Sequence, residues 1–153
     1  MRRICIIPCG RKKIWEKEPE VGAVLAKDAY IGIFHGLCQR YANEFFQEWV
    51  ILSAKHGFLL PDDIVPENYD VSFSMKNHPN IITIGQLKKQ ALQKNLYDVD
   101  QVVVLGGKKF RPIVEQVFPK HVVFSYPLSN CRGIGEMQKL LKLSVESHQE
   151  MNG

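Results

Sequence analysis

Four short apolar runs punctuate the chain, each with the near-continuous hydrophobicity of a strand buried on both faces. They are Arg3–Pro8 (RICIIP), Trp49–Leu52 (WVIL), Gln101–Leu105 (QVVVL) and His121–Phe124 (HVVF). Between them the period lengthens. From Asp28 to about Phe46, residues Ile31, Phe34, Leu37, Cys38, Tyr41 and Phe45 recur at helical spacing, with Asp28 placed to cap the helix and His35 read as a core or boundary histidine. Ile81–Asn95 and Phe110–Val117 predict two more helices, the second with Pro112 in its first turn, and Glu136–Ser147 a last one with Met137, Leu140, Leu141 and Ser144 turned inward. Trp15–Lys27, with Pro19 and Gly22 among charges, reads as an irregular excursion over a cleft mouth; Ser74–Asn80 reads as polar turns and His148 onward as a frayed tail.

Strands alternating with helices predict an α/β domain over residues 1–153: a three-layer α/β/α sandwich with a mostly parallel four-stranded central sheet. In such a fold the loops after the strands collect along one edge, where open α/β sheets take their ligands. Here those loops begin near Cys9, Ser53, Gly106 and Ser125.

Each loop carries chemistry. Cys9-Gly10-Arg11-Lys12-Lys13 joins a flexible backbone to three cations, the composition expected around a phosphate or carboxylate. Ser53, Lys55 and His56 supply a hydroxyl, an ammonium and an imidazole, and Gly57 permits a turn or a close approach; Asp63 and Tyr69 follow in a proline-punctuated path. Gly106-Gly107 exposes backbone N–H groups before a helix, and Arg132, Gly133 and Gly135 stand at the entrance of the last one. The expected roles are His56 or Asp63 as general acid or base, with Cys9, Gly10, Lys12, Lys13, Ser53, Lys55, Gly57, Tyr69, Gly106, Gly107, Arg132, Gly133 and Gly135 around the substrate.

Composition narrows the partners only slightly. A formal charge of +4 suits an anionic partner and ordinary solubility alike. No apolar run approaches the roughly 20 residues of a membrane span, so no membrane partner is expected. The basic, apolar start is interrupted by Pro8 and Gly10, which favours a first strand over a cleavable leader; the four cysteines are then expected as thiols in a reducing cytoplasm. No CxxC, HExxH, Walker or complete GxGxxG pattern is present, and no metal or cofactor is expected. Ser53 lacks the GxSxG elbow of a serine hydrolase.

The order of motifs resembles the bacterial and phage domain of unknown function 6884, over nearly the whole chain. The resemblance is carried by Ile7–Lys13, by Leu52–Leu59 with Pro61-Asp62-Asp63-Ile64 and Tyr69-Asp70, and by Gly133-Ile134-Gly135. The middle motif is similar, more distantly, to YaaA-type peroxide-stress proteins linked to DNA protection, although Glu67-Asn68 here separates Pro66 from Tyr69. Three readings follow: a protein directed at a nucleotide or nucleic acid, acting as an enzyme on a nucleobase or N-glycosidic bond; a non-catalytic nucleic-acid-binding module; or a structural polar network in which Asp62 or Asp63 caps a turn and Lys55 pairs with a carboxylate.

Overall fold

The computed structural model describes residues 1–75 and 77–152, so that Lys76, within the expected polar turns, lies outside the described residues. In chain order the strands are β1 (Arg3–Pro8), β2 (Val24–Leu25), β3 (Trp49–Ser53), β4 (Gly57–Leu59), β5 (Ile64–Val65), β6 (Gln101–Val104) and β7 (Val123–Ser125). The helices are α1 (Ala26–Ala29), α2 (Ile33–Phe45), α3 (Ile84–Gln93), α4 (Arg111–Val114) and α5 (Ile134–Ser147). Five strands form a mostly parallel sheet in the order β4-β3-β1-β6-β7, and β2 pairs with β5 in a small antiparallel ribbon.

The sheet is organised around β1, which is parallel to β3 on one side and to β6 on the other. A strand paired on both sides and covered on both faces must be apolar throughout, and Ile4, Cys5, Ile6 and Ile7 are all buried. Register keeps lateral partners on the same face. Cys5 lies opposite Trp49 and Val103 and joins a cluster with Cys38 and Tyr41 of α2 and Leu141 of α5. Ile6 lies opposite Val50 and Val104 and joins a separate cluster with Leu87 and Ala91 of α3 and Val114 of α4.

The sheet has five strands where four were expected, and the fifth comes from the stretch read as loop. Gly57 adopts φ +72°, a conformation side chains disfavour, and folds the chain back so that β4 pairs antiparallel with β3. Gln90 of α3 fixes the turn: its Oε1 accepts from Phe58 N–H at 2.8 Å and its Nε2 donates to the His56 carbonyl at 2.8 Å. A Cβ on Gly57 would stand 2.1 Å from that Oε1.

The helix expected from Asp28 is split. Tyr30 is extended and bridges Lys13, while Ile31 N–H donates to the Lys12 carbonyl at 3.0 Å, so the loop after β1 uses the backbone groups that a continuous helix would have needed. Asp28 therefore sits inside α1, and α2 starts after Gly32. The excursion after Lys13 is partly regular, with a 3₁₀ turn at Ile14–Glu16 and the β2 strand. α3 begins at a reciprocal cap: Gln86 N–H donates to Thr83 Oγ1 at 3.1 Å and Thr83 N–H to Gln86 Oε1 at 2.9 Å. The tail expected to fray is tethered, for Met151 N–H donates to the Tyr41 hydroxyl at 3.0 Å and Arg3 pairs with Glu150.

Candidate functional site at the edge of the sheet

The connection after β1 leads to β3 on one side, whereas β6 and β7 lie on the other, so the order of the parallel strands reverses between β1 and β6. At such a reversal the two outgoing loops diverge and leave a crevice. A hollow of about 520 Å³ occupies it, a volume suited to a small ligand. Pro8, Cys9, Gly10 and Arg11 form one wall and Gly106, Gly107, Lys109 and Phe110 the facing one; the starts of α2 (Gly32 to His35) and α5 (Ile134, Met137, Gln138) complete the lining.

Three features give this cleft its character. Its walls are largely apolar, with Phe34, Phe110 and Met137 inside and Ile33 and Ile134 exposed at the lip. Its cations, Arg11 and Lys109, are exposed and lack carboxylate partners among the described residues. Both α2 and α5 begin with glycine at the N-cap and no side-chain cap, so their first-turn N–H groups are left for something else to satisfy.

The close approach of Gly106 is obligatory, since a Cβ there would stand 2.2 Å from the Phe110 ring. His35 secures the opposite wall. Its Nε2 lies 2.8 Å from Gln39 Nε2, an amide N–H₂ that can only donate, so the ring proton resides on Nδ1 and is donated to the Pro8 carbonyl at 2.9 Å. Burial lowers its pKa to about 4, against a smaller opposing effect of the Pro8 carbonyl.

A buried polar cluster adjoins the cleft at Cys9. Ser53 Oγ accepts from the N–H groups of His56 (3.1 Å) and Lys55 (3.3 Å), which directs its own proton to the Tyr69 hydroxyl 2.8 Å away. The Tyr69 hydroxyl also contacts that of Tyr30. Burial, more than any other cause, raises both phenols above their ordinary range. Lys13 is only 4% exposed; its Nζ donates to the Arg11 carbonyl at 3.2 Å and lies 4.6 Å from the Tyr69 ring centroid. No carboxylate pairs with it among the described residues. The His56 ring meets the edge of Tyr69 at 4.9 Å, and its buried Nε2 has no hydrogen-bond partner among the described residues. Burial foremost, then the Lys55 and Lys94 charges, lowers the His56 pKa.

The predicted residues thus divide among several places. Cys9, Gly10, Gly106 and Gly107 line the cleft; Lys13, Ser53, Lys55, His56 and Tyr69 belong to or flank the cluster. Gly57 is packed against α3, and Asp63 accepts from Leu60 N–H and Lys94 Nζ at 2.8 and 2.7 Å, so its carboxylate is engaged in the fold. Lys12, Arg132, Gly133 and Gly135 are exposed or at the helix entrance and do not line the cleft, although the stem of Lys12 reaches Gly32. The cleft-lining residues not singled out as substrate contacts from the sequence include Arg11, Lys109, Phe34 and Gln138. Arg11 stood in a run already recognised as basic, whereas Gln138 carried no local signal.

The family of unknown function DUF6884 matches residues 4–143. The chain belongs to this family. The DUF6884 match takes in every residue lining the cleft and the whole polar cluster. The uncharacterized protein YfjM of Bacillus subtilis (strain 168) is 51% identical over 151 residues, covering 99% of this chain and 100% of that protein. Among the described residues, no group of three or more His, Cys, Asp or Glu side chains is placed to hold a metal ion, and no helix is long and apolar enough to cross a membrane.

Proposed function

We propose that this DUF6884 protein is directed at a nucleotide, free or at the end of a nucleic-acid strand, which it holds in the cleft between β1 and β6. One observation carries the reading: two glycine-capped helix starts, two cations without carboxylate partners and an apolar interior converge on a single hollow. Helix N–H groups and guanidinium or ammonium charge favour a phosphate, while an aromatic and thioether wall favours a planar base. The volume of about 520 Å³ suits one nucleotide better than a duplex, which favours this reading over a general nucleic-acid-binding module. The more distant resemblance to YaaA-type proteins points in the same direction.

The reading takes the sheet to be enclosed between two helix layers, as a three-layer α/β/α sandwich, supported by the two apolar clusters that divide alternate residues of β1. It takes the compartment to be the cytoplasm, in keeping with four free thiols. The reading extends to an enzyme acting on the base or its N-glycosidic bond, supported by the titratable groups Tyr30, Tyr69 and His56 gathered near Ser53. Titration calorimetry with the four ribonucleoside monophosphates and short single-stranded DNA and RNA tests it. Arg11→Ala and Lys109→Ala are each expected to weaken binding roughly tenfold, the loss of a charge-assisted contact. Absence of binding, or unchanged affinity in both variants, overturns the reading.

A further inference from the structure

We propose that the buried polar cluster is itself a binding site for a small oxyanion, a carboxylate or a phosphate, held at the Tyr69 ring by Lys13, Lys55 and a phenolic hydroxyl. The site is separate from the cleft and does not depend on the nucleotide reading.

Positive charge gathers around one ring and is not answered. The Lys13 and Lys55 Nζ atoms lie 4.6 and 5.7 Å from the Tyr69 centroid, and the centroid of the His56 ring lies 4.9 Å from it. No carboxylate forms an ion pair with either lysine among the described residues. Acids close in the chain are engaged elsewhere: Glu16 accepts from the Lys13 backbone N–H at 2.6 Å, Asp62 pairs with Lys27, and Asp63 pairs with Lys94. Glu67 and Asp70, which flank Tyr69 in the sequence, are exposed and pair with neither lysine. A cation–π contact accounts for one ammonium on a ring, but two on the same ring repel each other.

Donors also outnumber acceptors inside the cluster. Ser53 Oγ accepts from two backbone N–H groups and gives its proton to Tyr69, and the Tyr30 and Tyr69 hydroxyls then share one hydrogen bond. Whichever phenol donates in that bond, the proton of the other has no acceptor among the described residues. Lys13 is in the same position: of its three N–H donors, one reaches the Arg11 carbonyl at 3.2 Å and the ring face takes another at most. The buried His56 Nε2 is without a partner as well. Lys13, Tyr30 and Tyr69 are all buried, where unpaired donors and an unanswered charge destabilise the fold. Water accepts protons but does not answer charge; an oxyanion does both. Lys55 and His56 are half-buried, so the cluster reaches solvent on their side.

Thermal unfolding of the intact chain at pH 7 in sodium chloride, sodium acetate and inorganic phosphate, at one ionic strength, tests the proposal. At least one of the two oxyanions is expected to raise the unfolding temperature saturably, by roughly 3–6 °C at ten times its Kd, whereas exclusion of salt from the protein surface gives no saturation. A response to acetate identifies a carboxylate site and a response to phosphate a phosphate site; either supports the proposal. Lys13→Met is expected to abolish the rise, while a lysine that merely stacks on Tyr69 would leave it unchanged on replacement. Arg11→Ala combined with Lys109→Ala is expected to keep the rise. No saturable rise in either oxyanion, a full rise persisting in Lys13→Met, or a rise lost with Arg11 and Lys109 overturns the proposal, the last by assigning the anion to the cleft. Should Lys13→Met fail to fold, the half-buried Lys55 decides: Lys55→Met is expected to raise the Kd of the oxyanion about tenfold, the loss of a charge-assisted contact, and an unchanged Kd overturns the proposal. The nucleotide reading is tested at Arg11 and Lys109, so the two can fail independently.

Discussion

Two hollows of nearly equal size lie at opposite edges of the same sheet, about 520 Å³ beyond the C-terminal end of β1 and about 560 Å³ beside its N-terminal end. The second is lined by Met1 to Arg3 and Phe45 to Glu48, and its charges answer one another. Arg2 holds Glu48 through Nε and an Nη at 2.9 and 2.8 Å and donates to the Asp98 and Asn95 carbonyls; Arg3 pairs with Glu150 and lies 4.4 Å from the Phe46 ring centroid. At the first hollow Arg11, Lys109 and two helix starts have no such partners among the described residues. Volume therefore does not distinguish a site from a gap. Unanswered polarity does, because a folded chain that leaves donors unpaired around a cavity gains free energy when a complementary guest arrives.

The largest expected effect breaks this asymmetry directly. Reversing both cations of the cleft, Arg11→Glu with Lys109→Glu, is expected to lower nucleoside monophosphate affinity at least 100-fold, about 2.7 kcal/mol, by turning attraction at the helix starts into repulsion. Arg2→Glu at the other hollow is expected to leave affinity unchanged. Equal losses in the two variants, measured by calorimetry at the same ionic strength, would show that long-range charge rather than the cleft governs binding.

A somewhat smaller effect concerns the frame of the cleft. His35 has a folded pKa lowered from about 6.5 to about 4, so the unfolded chain takes up its proton first as pH falls. Its contribution is fully present above pH 6.5, is lost as pH falls from 6.5 to 4, and stability rises with pH across that window; between pH 7 and 5 the loss is on the order of 2 kcal/mol. Urea unfolding at the two pH values measures it. A His35→Gln variant, which keeps a side-chain donor near the Pro8 carbonyl without the titration, is expected to flatten that part of the profile. A slope as steep as in the parent chain would place the pH dependence elsewhere.

How much of this could be read beforehand depended on whether the cause was local. Ile4 to Ile7 and Val102 to Val104 are apolar because strands covered on both faces must be, and that pattern is visible in any window that contains them. Cys9-Gly10 and Gly106-Gly107 likewise reported on their positions, since a strand followed by glycine points to a turn at a sheet edge. β4 was hidden because its partner in packing, Gln90, lies 32 residues beyond Phe58 and nothing in Gly57-Phe58-Leu59 announces it. The break at Tyr30 was hidden for the same reason, being imposed by its bridge to Lys13. The run Arg11-Lys12-Lys13 showed a concentration of charge but not its division: Arg11 opens to the cleft, Lys12 is exposed, and Lys13 turns inward beneath Tyr69. A single loop can send neighbouring cations to three environments, and only the residues that close around it decide which goes where.

The smallest expected effect sharpens the contrast from the satisfied side. The Arg2 and Glu48 side chains are 28% and 43% exposed, so water screens much of their attraction. The hydrogen bond from Arg2 lowers the Glu48 pKa, and Glu48 raises that of Arg2, in agreement about the direction of the coupling. For a carboxylate lowered in this way the stabilisation is present above its ordinary pKa and is lost as pH falls through the folded value. Arg2→Met is accordingly expected to cost about 0.5–1 kcal/mol at pH 7, less in high salt, and to leave nucleotide affinity as it was. The Asn95 and Asp98 carbonyls released by the change lie at the rim, where water can replace the guanidinium. If the same variant instead began to bind an anion or cation strongly at this edge, the paired charges there would be masking a site, and the distinction between the two hollows would fail.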